Sequence, residues 1–202
     1  MIEDIVNNNG YDYVDLELPS GTIWATCNVG ATKPSEPGLY FQWGDTKGYT
    51  EEQVGYDSEH KPFSIDWGDY KFGEPSKLTK YINPDAILEL KDDAAHVYMG
   101  GDWHMPTDKQ IQELIDNTTT NWITSKAGMR FTSKNGKLIF IPAAGGALEG
   151  SIIDSGDNGY VWSSTLYAYN IKFSKWLFFN SKEVISSYGS RCDGLPVRGV
   201  IG

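Results

Sequence analysis

"DDAAHVYMGGDWHMPTDKQIQELIDN", residues 92 to 117, holds the helical signal of the chain. "DDAAHVYMG" opens on carboxylates, which favour the positive N-terminal end of a helix, and stops at Gly100, so a short helix is predicted there. In "PTDKQIQELIDN", Thr107 is placed to cap, with Gln110 three residues on, while Ile111, Leu114 and Ile115 recur at helical spacing. This second helix is the firmer of the two.

Outward from the helices the periodicity changes. Toward the N-terminus, "YDYVDLELPSGTIWATCNVGA" (11 to 31) places Tyr11, Tyr13, Val14, Leu16 and Leu18 before a Pro-Ser-Gly turn, and Ile23, Trp24 and Ala25 after it. That is a hairpin of short strands. From Lys33 to Pro84 the chain is rich in Gly, Pro and Asp, with scattered rings (Tyr40, Phe41, Trp43, Tyr49, Tyr56, Phe63, Trp67, Tyr70, Phe72). So long an irregular stretch needs packing of its own, and those rings would supply it. After Asn117 come "GMRFTS", "KLIFIPAA", "GYVWSST", "YNIKFS", "WLFFNS" and "LPVRGV", strand-like runs separated by Gly, Asn and Ser. Two helices between strand-rich ends give an α+β domain whose C-terminal half is a small, mostly antiparallel sheet with long irregular loops.

Composition narrows the function. The chain has 202 residues, enough for one good-sized core, and reads as a leader or linker (residues 1–10) followed by one domain (11–202). A net charge of -10 with no basic block argues against a phosphate-backbone partner, so no nucleic acid is expected. "MIEDIVNNNG" lacks a cationic and an apolar signal region, and no run approaches eighteen apolar residues; neither general secretion nor a membrane span is expected. Cys27 and Cys192 read as ordinary buried thiols.

The unusual segment is "YVWSSTLYAYNIKFSKWLFFNSKEVISSYG", 160 to 189, with nine aromatic rings in thirty residues, against 13% in the whole chain. Strand alternation sorts some of them. Ile171 and Phe173 alternate with Asn170, Lys172 and Ser174 and are expected inside; Trp162, beside Ser163 and Ser164, reads as buried framework. In "KWLFFN", if Leu177 and Phe179 point in, Trp176 and Phe178 point out. Large rings left outside call for a partner to cover them. Tyr and Trp diluted by Ser, Gly and Asn is also the composition of adaptable binding surfaces, since these rings bring large area with few rotors to freeze. Tyr167, Tyr169, Trp176, Phe178 and Tyr188 are therefore candidate ligand-binding residues, with Asn170, Lys172, Ser186, Ser187, Ser190 and Asp193 as the polar surround.

"YVDLELPSGTIWATCNVGATKP" with "YFQWGDT", then "DDAAHVYMGGDWHMPTDKQIQELIDN", "IFIPAAGG" and "GYVWSST", with "VRGV" near the end, occur in an order that resembles the Fibrobacter-succinogenes-type major paralogous domain of Bacteroidetes proteins and their phages. That domain is similar to the C-type lectin fold of formylglycine-generating enzymes and of the variable proteins of diversity-generating retroelements. The resemblance runs from about Tyr11 to Val200 and implies paired N- and C-terminal strands and an irregular ligand-binding face. In the retroelement proteins the variable segment lies between a "WSS" motif, here Trp162 to Ser164, and a terminal strand, here Gly194 to Arg198. Leu195 and Pro196 depart from the usual pair, and Pro196 removes a ladder donor, so pairing on one side only is expected there. The resemblance implies a receptor-binding or adhesion module on a virion or bacterial cell surface, with a protein or glycan ligand there.

Other chemistry is thinly represented. His60, His96 and His104 lack zinc-motif spacing and read as structural; His104 stands where relatives often have Arg, which implies a buried hydrogen bond. "EPG" at Glu36 and "EPS" at Glu74 lack the Asn of calcium-binding lectin triplets, so no cofactor is assigned; calcium through the loop acids Asp45, Asp57, Asp66 and Asp69 stays open. An oxidase of the formylglycine-generating type would need a closely placed cysteine pair, and the only partner for Cys192 is Cys27. No catalytic residue is assigned. That oxidase, and a structural domain of a fibre or cell envelope, are the alternatives to a binding module.

Overall fold

The computed structural model describes residues 6–56 and 59–202. Residues 1–5 of the expected leader, and the candidate cation ligand Asp57, lie outside them. The rest of that leader is corrected: β1 (Val6–Asn8) pairs antiparallel with β2 (Tyr11–Val14) across Asn9 and Gly10. Both turn residues have positive φ, 52° and 85°, the mirror-image turn that Asn-Gly adopts in tight hairpins. A composition that reads as a linker is here a turn. The expected hairpin after it forms, β2 pairing with β3 (Ile23–Asn28) at Tyr13 opposite Ala25.

The irregular stretch that follows contributes only the two-residue strands β4 (Tyr40–Phe41), β5 (Gly55–Tyr56) and β6 (Pro62–Phe63). Rings hold it, as the sequence indicates: Trp67, Tyr70, Phe72, Tyr81 and Trp43 meet edge to face in a continuous chain, centroids 5.2 to 5.7 Å apart. Both helices form where the capping signals put them. Asp93 caps α1 (Ala94–Met99), which ends at Gly100 with φ 67°. Thr107 and Gln110 close a reciprocal capping box on α2 (Asp108–Asn117), whose Ile111 and Leu114 are buried.

Beyond α2, β7 (Thr118–Ile123), β8 (Gly128–Ser133) and β9 (Leu138–Pro142) form an antiparallel meander, and β10 (Gly146–Leu148) and β11 (Ser151–Ile153) a small hairpin. The terminal sheet is β12 (Gly159–Leu166), β13 (Phe173–Phe179) and β14 (Val184–Ser190), in that order. The chain closes with β15 (Leu195–Pro196), paired on one side with β4, and β16 (Arg198–Ile201), which lies against β3 so that the N- and C-terminal strands share a sheet. The fold is thus α+β, with two helices and small antiparallel sheets. Among the described residues no helix is long and apolar enough to cross a membrane.

One core lies around Trp43, Trp103 and Trp162, another between α2, Trp24, Phe131, Leu177 and Phe179, and a small satellite around Tyr40 and Ile65. Two arginines are fully buried and act as pins. Arg191 lies 4.8 Å over the Trp43 ring and donates to Tyr70 Oη (2.8 Å) and to the carbonyls of Lys80, Tyr81 and Ile171. Arg198 donates to Asn28 Oδ1 (2.9 Å) and to the carbonyls of Ala25, Thr26 and Phe140; burial lowers its pKa to about 10. Five guanidinium N–H groups in a planar fork let one side chain satisfy carbonyls from several loops at once. Arg191 thereby ties the irregular stretch to the base of the terminal sheet.

Candidate functional site

Side-chain alternation decides which part of the terminal sheet is available. On β13, Leu177 and Phe179 point to the α2 side and are fully buried, while Trp176 and Phe178 point to the other side and are half-buried. The expected in-and-out division of "KWLFFN" is therefore observed. Trp162 is buried, as expected, its Nε1 donating to Phe41 O at 2.8 Å.

Register then separates the candidates. Trp176 faces Ser187 and Lys175 faces Tyr188 across the β13–β14 pair, so Tyr188 shares a face with the odd-numbered residues of β13, not with Trp176 and Phe178. The eleven candidates do not form one surface: those on strands lie on two sides of one sheet, and the others on the connections beside it. The sequence pattern shows alternation within a strand but leaves the pairing between strands unfixed.

The first side continues past the N-terminal end of α2. Tyr167 and Tyr188 stack at 3.9 Å with planes 9° apart, Tyr169 joins at 5.5 Å from Tyr167, and Phe173 lies 5.9 Å from Tyr188. Tyr169 is 89% exposed and Tyr188 46%. Lys175 reaches over the Tyr167 ring at 5.8 Å and pairs with Asp108 at 3.3 Å, a contact that joins this cluster to the first turn of α2. Ser186 donates to the other oxygen of Asp108, so its hydroxyl is a joint between sheet and helix. Asn170 Oδ1 accepts from Lys172 N at 3.1 Å and shapes the turn that carries Tyr169, leaving the Lys172 side chain exposed.

Two expectations are corrected here. "YNIKFS" is not a strand of its own: residues 168–172 turn, and β13 runs unbroken from Phe173. Alternation consequently does not govern Ile171, which packs from the turn against the first core, and Phe173 belongs to the surface ring cluster instead of the interior. Phe173 and Lys175 are members of this face that sequence reading missed.

The second side carries a cross-strand row of rings. Phe178, Tyr160, Trp176 and Trp162 follow one another at centroid spacings of 5.3 to 5.4 Å, grading from half-buried into the core. The Trp176 ring lies on Gly189: a Cβ there would fall 1.7 Å from the ring edge. Its Nε1 is buried with no hydrogen-bond partner among the described residues. Trp176 is therefore a packing element as well as a surface one, contrary to the expectation of a freely displayed ring. Ser187 lies opposite it, and Asp193 lines a small cavity beside it. Ser190 is turned toward the Cys192 thiol, Oγ to Sγ 3.2 Å.

The remaining candidates are engaged locally. Asp66 and Asp69 both accept from Ser64 Oγ (2.6 and 3.0 Å), and Asp45 accepts from Lys47 N. No group of three or more His, Cys, Asp or Glu that could hold a metal occurs among the described residues. His96 Nδ1 lies 3.1 Å from Trp103 O; the half-buried His104 lies 2.9 Å from Met105 O and 3.2 Å from Gly202 O; His60 is exposed. Both cysteines are free, and burial raises the Cys192 thiol to about 12. No family model, curated protein or solved structure matches this chain.

Proposed function

We propose that this chain is a non-enzymatic ligand-binding module of C-type lectin-like fold, similar to the variable proteins of diversity-generating retroelements, and that it serves attachment on a phage particle or bacterial surface. The observation that carries the reading is the cluster of Tyr167, Tyr169, Phe173 and Tyr188, rings brought together outside both cores at the edge of the terminal sheet. Four neighbouring rings with a lysine and an aspartate beside them offer apolar area, stacking faces and charged hydrogen-bonding groups. A protein or glycan surface uses those features. Phe173 and Tyr188 sit on strands β13 and β14, Tyr167 and Tyr169 on the connection between β12 and β13, and the first turn of α2 braces the sheet through Asp108. Pairing of the N- and C-terminal strands and two helices flanked by antiparallel strands support the lectin-like assignment. Against an oxidase of the formylglycine-generating type stands the buried, weakly acidic Cys192.

The test compares the wild-type chain with Y167S/Y169S/Y188S for binding to a panel of Bacteroidetes cells and to a glycan array. A variant at the exposed Tyr56, on β5 and outside the terminal sheet, serves as control. The triple variant is expected to lose at least tenfold in binding while the control keeps it, with both melting close to wild type. Equal binding by the triple variant would overturn the assignment of this face.

A further inference from the structure

The other side of the terminal sheet carries a second, unlike site. Between β10–β11 and the sheet lies a cavity of about 100 Å³, partly open to solvent and lined by Ala147, Leu148, Ile153, Tyr160, Trp176 and Asp193 among others. Two of its walls are rings: Tyr160 and Trp176 meet at 69° with centroids 5.3 Å apart, which makes an aromatic corner. Asp193 is the one charged residue among those lining it.

Asp193 forms no ion pair among the described residues; its carboxylate takes a weak contact from the Cys192 thiol at 3.7 Å and a backbone one from Ser190, both neutral groups. Burial raises it to about 6, so it is mostly ionised at neutral pH. Beside the corner stands another carboxylate, Asp154, which accepts from Tyr160 Oη at 2.9 Å. No lysine or arginine lines the cavity. A half-buried anion without a counter-charge is costly to keep, and the missing complement is a cation. An inorganic ion would demand several oxygen ligands, whereas this lining is mainly apolar carbon and ring.

We infer that this corner binds an alkylated ammonium group of choline type, its methyl groups against Tyr160 and Trp176 and its charge facing Asp193. Ring faces attract such cations, and desolvation strengthens the attraction. The inference does not depend on the tyrosine cluster, because the two sites occupy opposite sides of the sheet.

The probe is choline chloride, followed at pH 7.5 by shifts of the Trp176 indole and Ala147 methyl resonances. Its neutral isostere 3,3-dimethyl-1-butanol is titrated in parallel. Choline is expected to saturate at least tenfold more tightly than the isostere. Asp193→Asn, which keeps the shape and removes the charge, should bring the two ligands level without lowering the melting temperature. Absence of saturable choline binding, equal binding of the isostere by the wild-type chain, or undiminished preference in Asp193→Asn would each overturn the inference. The wild-type comparison decides even where the variant fails to fold. Y167S/Y169S/Y188S should bind choline normally, so failure of one site leaves the other standing.

Discussion

Gly189→Ala tests the packing of the terminal sheet more sharply than removing any ring. The added Cβ would lie 1.7 Å from Cη2 and 1.9 Å from Cζ3 of Trp176, far inside contact distance. Gly189 is not among the residues of positive φ, so the backbone accepts alanine and the whole cost is steric. Relieving it requires the indole to swing off the strand, abandoning Tyr160 and Trp162 at 5.3 and 5.4 Å. Overpacking of this kind costs about 1–3 kcal/mol. In a chain of this length each kcal/mol lowers Tm by roughly 2–4 °C. The informative experiment is a cycle of Gly189→Ala, Trp176→Ala and the double variant, each unfolded in urea. Once the indole is gone, the three nearest contacts of the added methyl, all to that ring, are gone with it, and alanine gains slightly over glycine because it has less backbone freedom to lose, so a coupling of about 1–3 kcal/mol is expected. Effects that add to within about 0.5 kcal/mol would refute the contact and with it the half-buried placement of Trp176.

Other outcomes follow from the same structure. Leu177→Ala should cost about 2–5 kcal/mol in urea unfolding, and Phe178→Ala distinctly less, because the first ends in a full core and the second at its edge; equal losses would contradict the alternation. Burial alone would raise the Asp92 carboxyl, but bonds from Lys80, Lys71 and Tyr81 outweigh it and hold it down to about 2, from an ordinary 3.8. The folded value being the lower one, Asp92 stabilises by about 2 kcal/mol above the ordinary carboxylate range. That stability disappears as pH falls from about 4 toward 2, and Asp92→Asn should flatten this part of the pH–stability curve. Arg191→Ala strips hydrogen bonds from Tyr70 and the carbonyls of Lys80, Tyr81 and Ile171. A loss of about 3–5 kcal/mol in equilibrium unfolding is expected, and one below about 1 kcal/mol would show that those loops hold without it.

Local rules make much of this molecule legible, and long-range pairing hides the rest. The α2 capping box is written within four residues, and the burial of Leu177 and Phe179 follows from the period of a single strand. The opening turn is legible too, since Asn9-Gly10 is a strong hairpin signal, but the short strand before it has little alternation to mark it. Which face of β13 meets Tyr188 is not legible, because that depends on the register with β14. Phe173 is misplaced for a related reason: alternation carried through a turn fails, because the backbone there has no period of two. The anchoring role of Arg191, in "SRCDG", is not legible either, because its partners Tyr70, Lys80, Tyr81 and Ile171 lie 20 to 121 residues away in sequence.

The claim that this segment turns one set of rings to solvent and another into the protein is tested most directly by laser-induced nuclear polarisation of assigned aromatic resonances, which enhances only rings a dissolved dye can touch. Tyr169 and Tyr188 should be strongly enhanced, while Trp162, with no exposed surface, stays dark. Silence from Tyr169 and Tyr188, or a signal from Trp162, would contradict it.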